Sequence, residues 1–249
     1  MAAPTEPRTL VAMRALVIAN TGDDDSGYVG ERLVERGYDL VIGYRDEGGA
    51  MPGNLDGYDL VVLLGSDWST YWDHVHDLVE RESALVREAA VRDLPVLGIC
   101  YGGQLLAHAL GGSVEPAHRT EIGWFELTTD DDDLAPTGPW FEFHIDKFTA
   151  PPGAQVFAST DAGPQAFRIG RMLAWQFHPE VTPEIVRRWG AGSRDQAERA
   201  GVSLDAVYEQ TDTLAPKARR RTHALVDAFL DRVAAAPSQL SVSVNDHVS

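Results

Sequence analysis

Residues 95–104 read Pro95-Val96-Leu97-Gly98-Ile99-Cys100-Tyr101-Gly102-Gly103-Gln104, and this stretch decides the architecture. Val96–Ile99 is a short apolar run after a proline, the pattern of a buried strand. A helix is expected directly after it, over 102–110, ending at Gly111-Gly112. The cysteine therefore stands at a strand-to-helix corner. Such a corner holds its nucleophile in a strained backbone conformation and needs small residues two positions to either side, here Gly98 and Gly102. The thiol lies at the positive end of the following helix, which favours a thiolate. The backbone N–H of Tyr101 points where an oxyanion would form. A lone cysteine is more often a small buried hydrophobe; the flanking glycines favour the nucleophile instead.

Upstream of this corner, strand and helix patterns alternate. Ala15–Ala19, Asp39–Tyr44 and Asp59–Leu64 read as strands. Val29, Leu33 and Val34 recur at helical spacing before Gly37, and residues 73–92 carry a longer helical face of Val75, Leu78, Val79, Leu85, Val86 and Ala89. Short connections between such elements predict a parallel sheet covered on both faces. The second half changes character. Ser113–Glu115, Ile122–Thr128, Trp140–Ile145, Gln155–Ala158, Ala166–Ile169 and Met172–Gln176 are short strand candidates between Gly, Pro and Asp clusters, which predicts antiparallel additions. Asp130–Asp133 reads as a hairpin tip, and a last amphipathic helix is expected near Lys217–Ala235. Residues 1–12 are read as a flexible leader, 13–236 as one domain and 237–249 as a mobile tail.

The 249 residues carry 21 Lys+Arg against 38 Asp+Glu, a formal charge of −17. That excess of acid argues against nonspecific nucleic-acid binding and against docking on an anionic membrane, since both need a basic face. Cys100 is the single cysteine, which excludes an internal disulfide and multi-cysteine zinc sites. No apolar run is long enough to span a bilayer, and Leu10–Ala19, interrupted by Arg14, reads as a strand rather than a signal peptide. A cytoplasmic location is expected, with no nucleic-acid or membrane partner. No phosphate-binding loop is visible.

A thiol nucleophile needs a base, and the base an orienting acid. Gln176-Phe177-His178-Pro179-Glu180 offers both, two residues apart just after a strand, where alternate side chains point the same way. The two motifs together, Gly98-Ile99-Cys100-Tyr101-Gly102-x-Gln104 and Gln176–Glu180, resemble the class I (triad) glutamine amidotransferases. Within that family the sequence is most similar to stand-alone proteins like the glutaminase domain of GMP synthetase. The resemblance covers most of residues 14–190.

It implies a three-layer α/β/α, flavodoxin-like fold with a mostly parallel central sheet and antiparallel additions. It implies Cys100 as nucleophile, His178 as base and Glu180 as its orienter. The chemistry implied is attack on the side-chain amide of glutamine, a γ-glutamyl thioester, and release of ammonia and glutamate, with no metal and no cofactor. Leu63-Leu64-Gly65-Ser66-Asp67 falls where the family has a Gly-Gly-Pro turn that donates the second oxyanion N–H. Ser66 replaces the second glycine and Asp67 the proline. The resemblance thus puts Ser66 and Tyr101 at the oxyanion hole, and Gly65, Gln104, Gly123, His144 and Asp146 at the substrate. Serine keeps a backbone N–H but resists the peptide flip that glycine permits.

Trp68, Tyr71 and Trp72 are candidates for a wall over the pocket. Asp73-His74-Val75-His76-Asp77 has metal-type residues, but positions i and i+2 do not share a helix face. Three functional readings follow. The first is a glutaminase whose ammonia passes to a separate synthetase subunit, since no ATP-binding half is visible in the sequence. The second is a stand-alone γ-glutamyl hydrolase or peptidase using the same Cys-His-Glu chemistry. The third is a weakly catalytic regulatory or binding module.

Overall fold

A computed structural model describes residues 13–46 and 51–235. The strands are β1 (Met13–Ala19), β2 (Tyr38–Tyr44), β3 (Leu60–Leu63), β4 (Val96–Ile99), β5 (Ser113–Phe125), β6 (Thr128–Thr129), β7 (Trp140–Thr149), β8 (Gln155–Thr160), β9 (Gly163–Ile169) and β10 (Met172–Trp175). The helices are α1 (Gly27–Glu35), α2 (His76–Val91), α3 (Tyr101–Ala109), α4 (Pro183–Gly192), α5 (Arg194–Arg199) and α6 (Leu204–Phe229), the last running into a π-helical turn at Leu230–Ala234. The expected leader and tail lie outside the described residues.

The central sheet runs β2-β1-β3-β4-β10-β9-β8-β6. Its first five strands are parallel, and β9, β8 and β6 extend it in antiparallel fashion. The parallel strands have a physical signature in sequence. Leu60–Leu63, Val96–Ile99 and Met172–Trp175 are buried at every position, because helices cover both faces. One core layer joins Val17, Val62, Leu97 and Trp175 to Leu225 and Phe229 of α6. The other joins Leu16, Val61 and Val96 to Val79 and Val86 of α2 and Leu105 of α3. The architecture is three layers, α/β/α, around a mostly parallel sheet.

Four local expectations change. The strands expected at Ser113–Glu115 and Ile122–Thr128 are largely one strand, β5, which ends at Phe125 and pairs with β7 in a separate two-stranded ribbon. Pro116 splits the sequence pattern because it lacks a ladder N–H. In the ribbon the pairing jumps from Pro116↔Asp146 to Glu121↔His144, an irregularity that lies opposite two candidate site residues. The final helix starts at Leu204, not near Lys217. Pro216 reads as a helix boundary, yet it lies inside α6 and faces solvent, while Val207, Thr211, Ala215, Ala218, Thr222 and Val226 form the buried stripe on the other side. Val34 points outward and is 56% exposed. Asp130–Asp133 is not a hairpin tip; Asp131 and Asp133 receive the Arg232 guanidinium, which ties this loop to the end of the chain's helical layer.

The corner at Cys100 depends on close approach. A Cβ on Gly98 would fall 2.5 Å from the Gly102 carbonyl oxygen, and one on Gly102 would fall 2.1 Å from that of Leu63. Gly102→Ala therefore pushes α3 off β3 and is expected to destabilise by about 2–3 kcal/mol. Gly53→Ala, with nothing within 4 Å, is the control. Urea unfolding midpoints of the two variants check this, and equal midpoints would refute it.

Candidate active site

Three adjacent parallel strands, β3, β4 and β10, end at one edge of the sheet, in register at Leu63↔Gly98 and Trp175↔Ile99. Each continues directly into a candidate functional segment: Gly65-Ser66 after β3, Cys100 after β4, and His178 and Glu180 after β10. The carboxyl edge of a parallel sheet is where such folds place their ligands. Residues separated by more than 100 positions in the chain meet there for this reason.

Cys100 has φ 51° and ψ −111°, a positive φ that a residue with a side chain adopts only under constraint. Its N–H donates to the Trp175 carbonyl (2.7 Å) and its carbonyl accepts from Gln104 N–H (2.9 Å), so the corner is pinned from both sides. Gln176 donates its side-chain N–H toward the Cys100 sulfur (3.5 Å), and Gln104 donates to the Gln176 side-chain oxygen (3.2 Å). Gly65 faces the same point: a Cβ there would lie 3.1 Å from His178 Cε1 and 3.7 Å from Cys100 Cβ.

His178 is buried, and its Nδ1 is 2.7 Å from Glu180 Oε1. Burial opposes an imidazolium, but the Glu180 carboxylate and the Cys100 sulfur outweigh it and raise the His178 pKa well above the ordinary value. The backbone around the pair is fixed by remote elements. His178 N–H donates to the Phe141 carbonyl of β7 (2.7 Å), Tyr28 N–H of α1 donates to the Glu180 carbonyl (2.9 Å), and Thr222 of α6 donates to the Pro179 carbonyl (2.6 Å). Gly27, at φ +46°, lets α1 start there; a Cβ would fall 1.9 Å from the Glu180 carbonyl oxygen. Trp189 closes the far side, its ring edge-on to His178 at 4.8 Å.

Comparison with known proteins matches residues 29–187 to the family model for glutamine amidotransferase class-I, well over half of the chain. The chain belongs to the class I glutamine amidotransferase family. It is 34% identical over 182 residues to a GMP synthase [glutamine-hydrolyzing] of Porphyromonas gingivalis, covering 68% of this chain but only 33% of that protein. A GMP synthase [glutamine-hydrolyzing] of Thermus thermophilus is 46% identical over 97 residues, 35% of this chain and 19% of its own. The chain thus spans about a third or less of the length of these curated relatives. Among solved structures, a glutamine amidotransferase from Thermotoga maritima superposes with a TM-score of 0.79 at 26% identity, covering 88% of this chain and 99% of that one. A glutamine amidotransferase from Methylobacillus flagellatus shares the fold at a TM-score of 0.76 and 23% identity, over 89% of this chain and 95% of that one.

In this family member the cleft measures about 610 Å³. Of the residues expected at the site, Gly65, Ser66, Cys100, Gln104, His144, Asp146 and His178 line it. Glu180 is buried behind His178, and the Tyr101 side chain is buried in the core at the start of α3. Gly123 is not at the cleft. It pairs with Glu142 in the ribbon, and the nearest atom to a Cβ there would be Val207 of α6, 3.7 Å away. Trp68 lines the cleft, whereas Tyr71 donates to Asp146 (2.9 Å) and Trp72 stacks on His74. Ser69 also donates to Asp146, so this carboxylate ties the segment after Ser66 to β7. The Asp73–Asp77 residues form no metal-type cluster among the described residues.

His144 has a defined electrostatic setting. Its Nδ1 is 2.9 Å from the Asp146 carbonyl oxygen, and its Nε2 is 3.2 Å from Glu121 and 3.3 Å from Glu142. All three side chains are buried. Burial opposes the imidazolium, but the Glu121 and Glu142 contacts raise its pKa to about 10. Thr160 and Gln165 also donate to Glu121. Glu121, Glu142 and His144 also lie close enough to one another to hold a metal ion; His144 bonds the Asp146 carbonyl and Glu121, while both Glu142 oxygens are buried without a hydrogen-bond partner.

Several cleft residues carry no local signal. Arg188 donates to Asp23 (2.7 Å), and Trp189 does the same (2.9 Å), joining α4 to the β1–α1 loop across 165 and 166 positions. The fully buried Arg45 and Glu82 beneath the cleft are equally unmarked in sequence.

Because the folded-state pKa of His144 lies above its ordinary value of 6.5, its charge stabilises fully below that value and the contribution is lost as pH rises through about 10. His144→Gln leaves two buried carboxylates without their cation and is expected to lose about 3–5 kcal/mol at pH 7. It also flattens the fall in stability between pH 7 and 10, and Glu142→Gln added to it recovers part of the loss. Guanidinium unfolding at the two pH values checks this; an unchanged slope in the variant would refute it.

Proposed function

We propose that this chain hydrolyses the side-chain amide of glutamine, or of a γ-glutamyl amide, through Cys100, His178 and Glu180. The observation that carries the reading is Cys100 held at positive φ beside a buried histidine whose other face is fixed by Glu180 at 2.7 Å. His178, whose pKa is raised, takes the Cys100 proton and leaves the sulfur as the attacking thiolate. The thiolate attacks the γ-carbonyl carbon, and the carbonyl π electrons move onto oxygen. Backbone N–H groups of Ser66 and Tyr101 receive that oxyanion. Collapse of the tetrahedral intermediate breaks the C–N bond, and the His178 proton goes to the departing amine. Water, deprotonated by His178, then cleaves the thioester to glutamate and restores the thiolate. Glu180 keeps the ring oriented without itself taking the proton.

Relatives named GMP synthase [glutamine-hydrolyzing] support glutamine as the substrate, and in this first reading the ammonia passes to a separate synthetase subunit. The second reading, a γ-glutamyl hydrolase acting by itself, is favoured by Ser66-Asp67 in place of the family's glycine and proline, and by a cleft of about 610 Å³ that exceeds a single glutamine side chain. In both readings the acyl chemistry is the same and only the leaving amine differs.

Glutamate release from glutamine and from a γ-glutamyl dipeptide, measured side by side, separates the two. Cys100→Ala abolishes both activities while leaving the fold intact. His178→Ala loses at least about 100-fold in kcat, since attack and leaving-group protonation both use it. Glu180→Gln loses less, because it only orients the ring. Wild-type turnover in Cys100→Ala would overturn the mechanism.

A further inference from the structure

Arg45, directly after β2, is completely buried and does not line the cleft. Its guanidinium contacts five groups. Nε and Nη2 donate to Glu82 of α2 (3.1 and 3.2 Å), and Nη1 donates to Asn20 Oδ1 (2.8 Å). Nη2 donates to the carbonyls of Ile18 (3.1 Å) and Leu64 (2.9 Å), and Nη1 to that of Gly65 (2.9 Å). The guanidinium plane also lies over the Tyr101 ring, 4.7 Å from its centroid. A buried ion pair is a weak source of stability, because desolvation offsets most of its attraction. What this pair does supply is direction: two successive carbonyls of the turn after β3 are drawn toward one fixed cation.

The consequence follows from peptide geometry. A trans peptide is planar, with its N–H opposite its carbonyl. With the Gly65 oxygen held by Arg45, the Ser66 N–H points away from Arg45. A Cβ on Gly65 would face His178 and Cys100, so the turn that carries this peptide borders the candidate nucleophile and base. The Ser66 hydroxyl accepts from Trp68 N–H (3.2 Å), which occupies the side chain within the turn. The other oxyanion donor, Tyr101 N–H, belongs to the residue whose ring Arg45 covers. One cation thus touches the peptide that carries the Ser66 N–H and the buried ring of Tyr101.

We propose that Arg45 is the positioning residue that fixes the Gly65–Ser66 peptide with its N–H turned to Cys100, so that the oxyanion hole is preset in the free chain without a synthetase partner. The proposal rests on Cys100 being the nucleophile. It explains how serine stands at a turn where the family has glycine: a peptide that does not rotate has no use for glycine's freedom.

The test uses the full chain, with glutamine and with γ-glutamyl p-nitroanilide as substrates. Arg45→Lys keeps a cation opposite Glu82 but cannot hold two carbonyls and a carboxylate in one plane. It lowers kcat about 10- to 100-fold, approaching the effect of losing one oxyanion donor. KM stays within about threefold, and the rate of Cys100 alkylation by iodoacetamide stays within about twofold, since neither depends on the hole. A kcat change below about threefold would overturn the proposal, as would parallel losses in kcat and alkylation. Should Arg45→Lys not fold, wild-type protein decides. On addition of glutamate γ-semialdehyde, which forms a hemithioacetal with the thiol, the ¹⁵N-resolved amide protons of both Ser66 and Tyr101 shift downfield. A shift at Tyr101 alone would overturn the proposal. No adduct and no glutamate release in wild type would sink the nucleophile reading, and the role of Arg45 with it; that failure is recognised before any change at Arg45.

Discussion

The approach of α3 to the parallel strands around Cys100 is the constraint on which the site depends. Leu63, Gly98 and Gly102 leave no room for one additional carbon between the helix and the sheet. That contact forces the chain to turn within one residue, and the residue is Cys100, at positive φ. The strain is held because hydrogen bonds grip the corner on both sides, to the Trp175 carbonyl and from the Gln104 N–H.

Around that corner the fold works as a registration device. Strands β3, β4 and β10 are neighbours, so the segments that follow them start from one edge. The charge arrangement then separates two roles for buried histidines. His178 is bracketed by one carboxylate and a sulfur. His144 is bracketed by two carboxylates and held by a backbone carbonyl, so its charge is locked in place. The first arrangement suits chemistry, and the second suits a fixed wall of the cleft.

The outer wall is built differently. Arg188 and Trp189 lie just beyond the residues matched by the family model, and they reach the cleft because both are fastened to Asp23. On this side the cleft is walled by this later helical layer, not by the sheet edge. Trp189, packed edge-on against His178, also keeps water off that side of the imidazole.

The order of strands and helices was legible because buried parallel strands are short apolar runs and their helices repeat at 3.6 residues. The cysteine corner and the His178–Glu180 pair were legible because both rest on local spacing: glycines two residues away, and two residues on an extended segment. Elements whose cause is remote were not. Pro116 reads as a break and Pro216 as a helix boundary, because a proline's tolerance depends on which side of its element faces partners. Gly123 stands in a familiar segment, yet its neighbour is Val207, which sequence spacing cannot supply. Arg45, Glu82, Asp23, Arg188 and Trp189 carry no motif, because their side-chain hydrogen-bond partners lie 19 to 166 positions away. The sequence by itself determined the layers, the corner and the residue types able to react. Only the tertiary structure decided which carbonyls a buried arginine holds and what walls the cleft, since those contacts form only after the sheet edge has brought distant segments together.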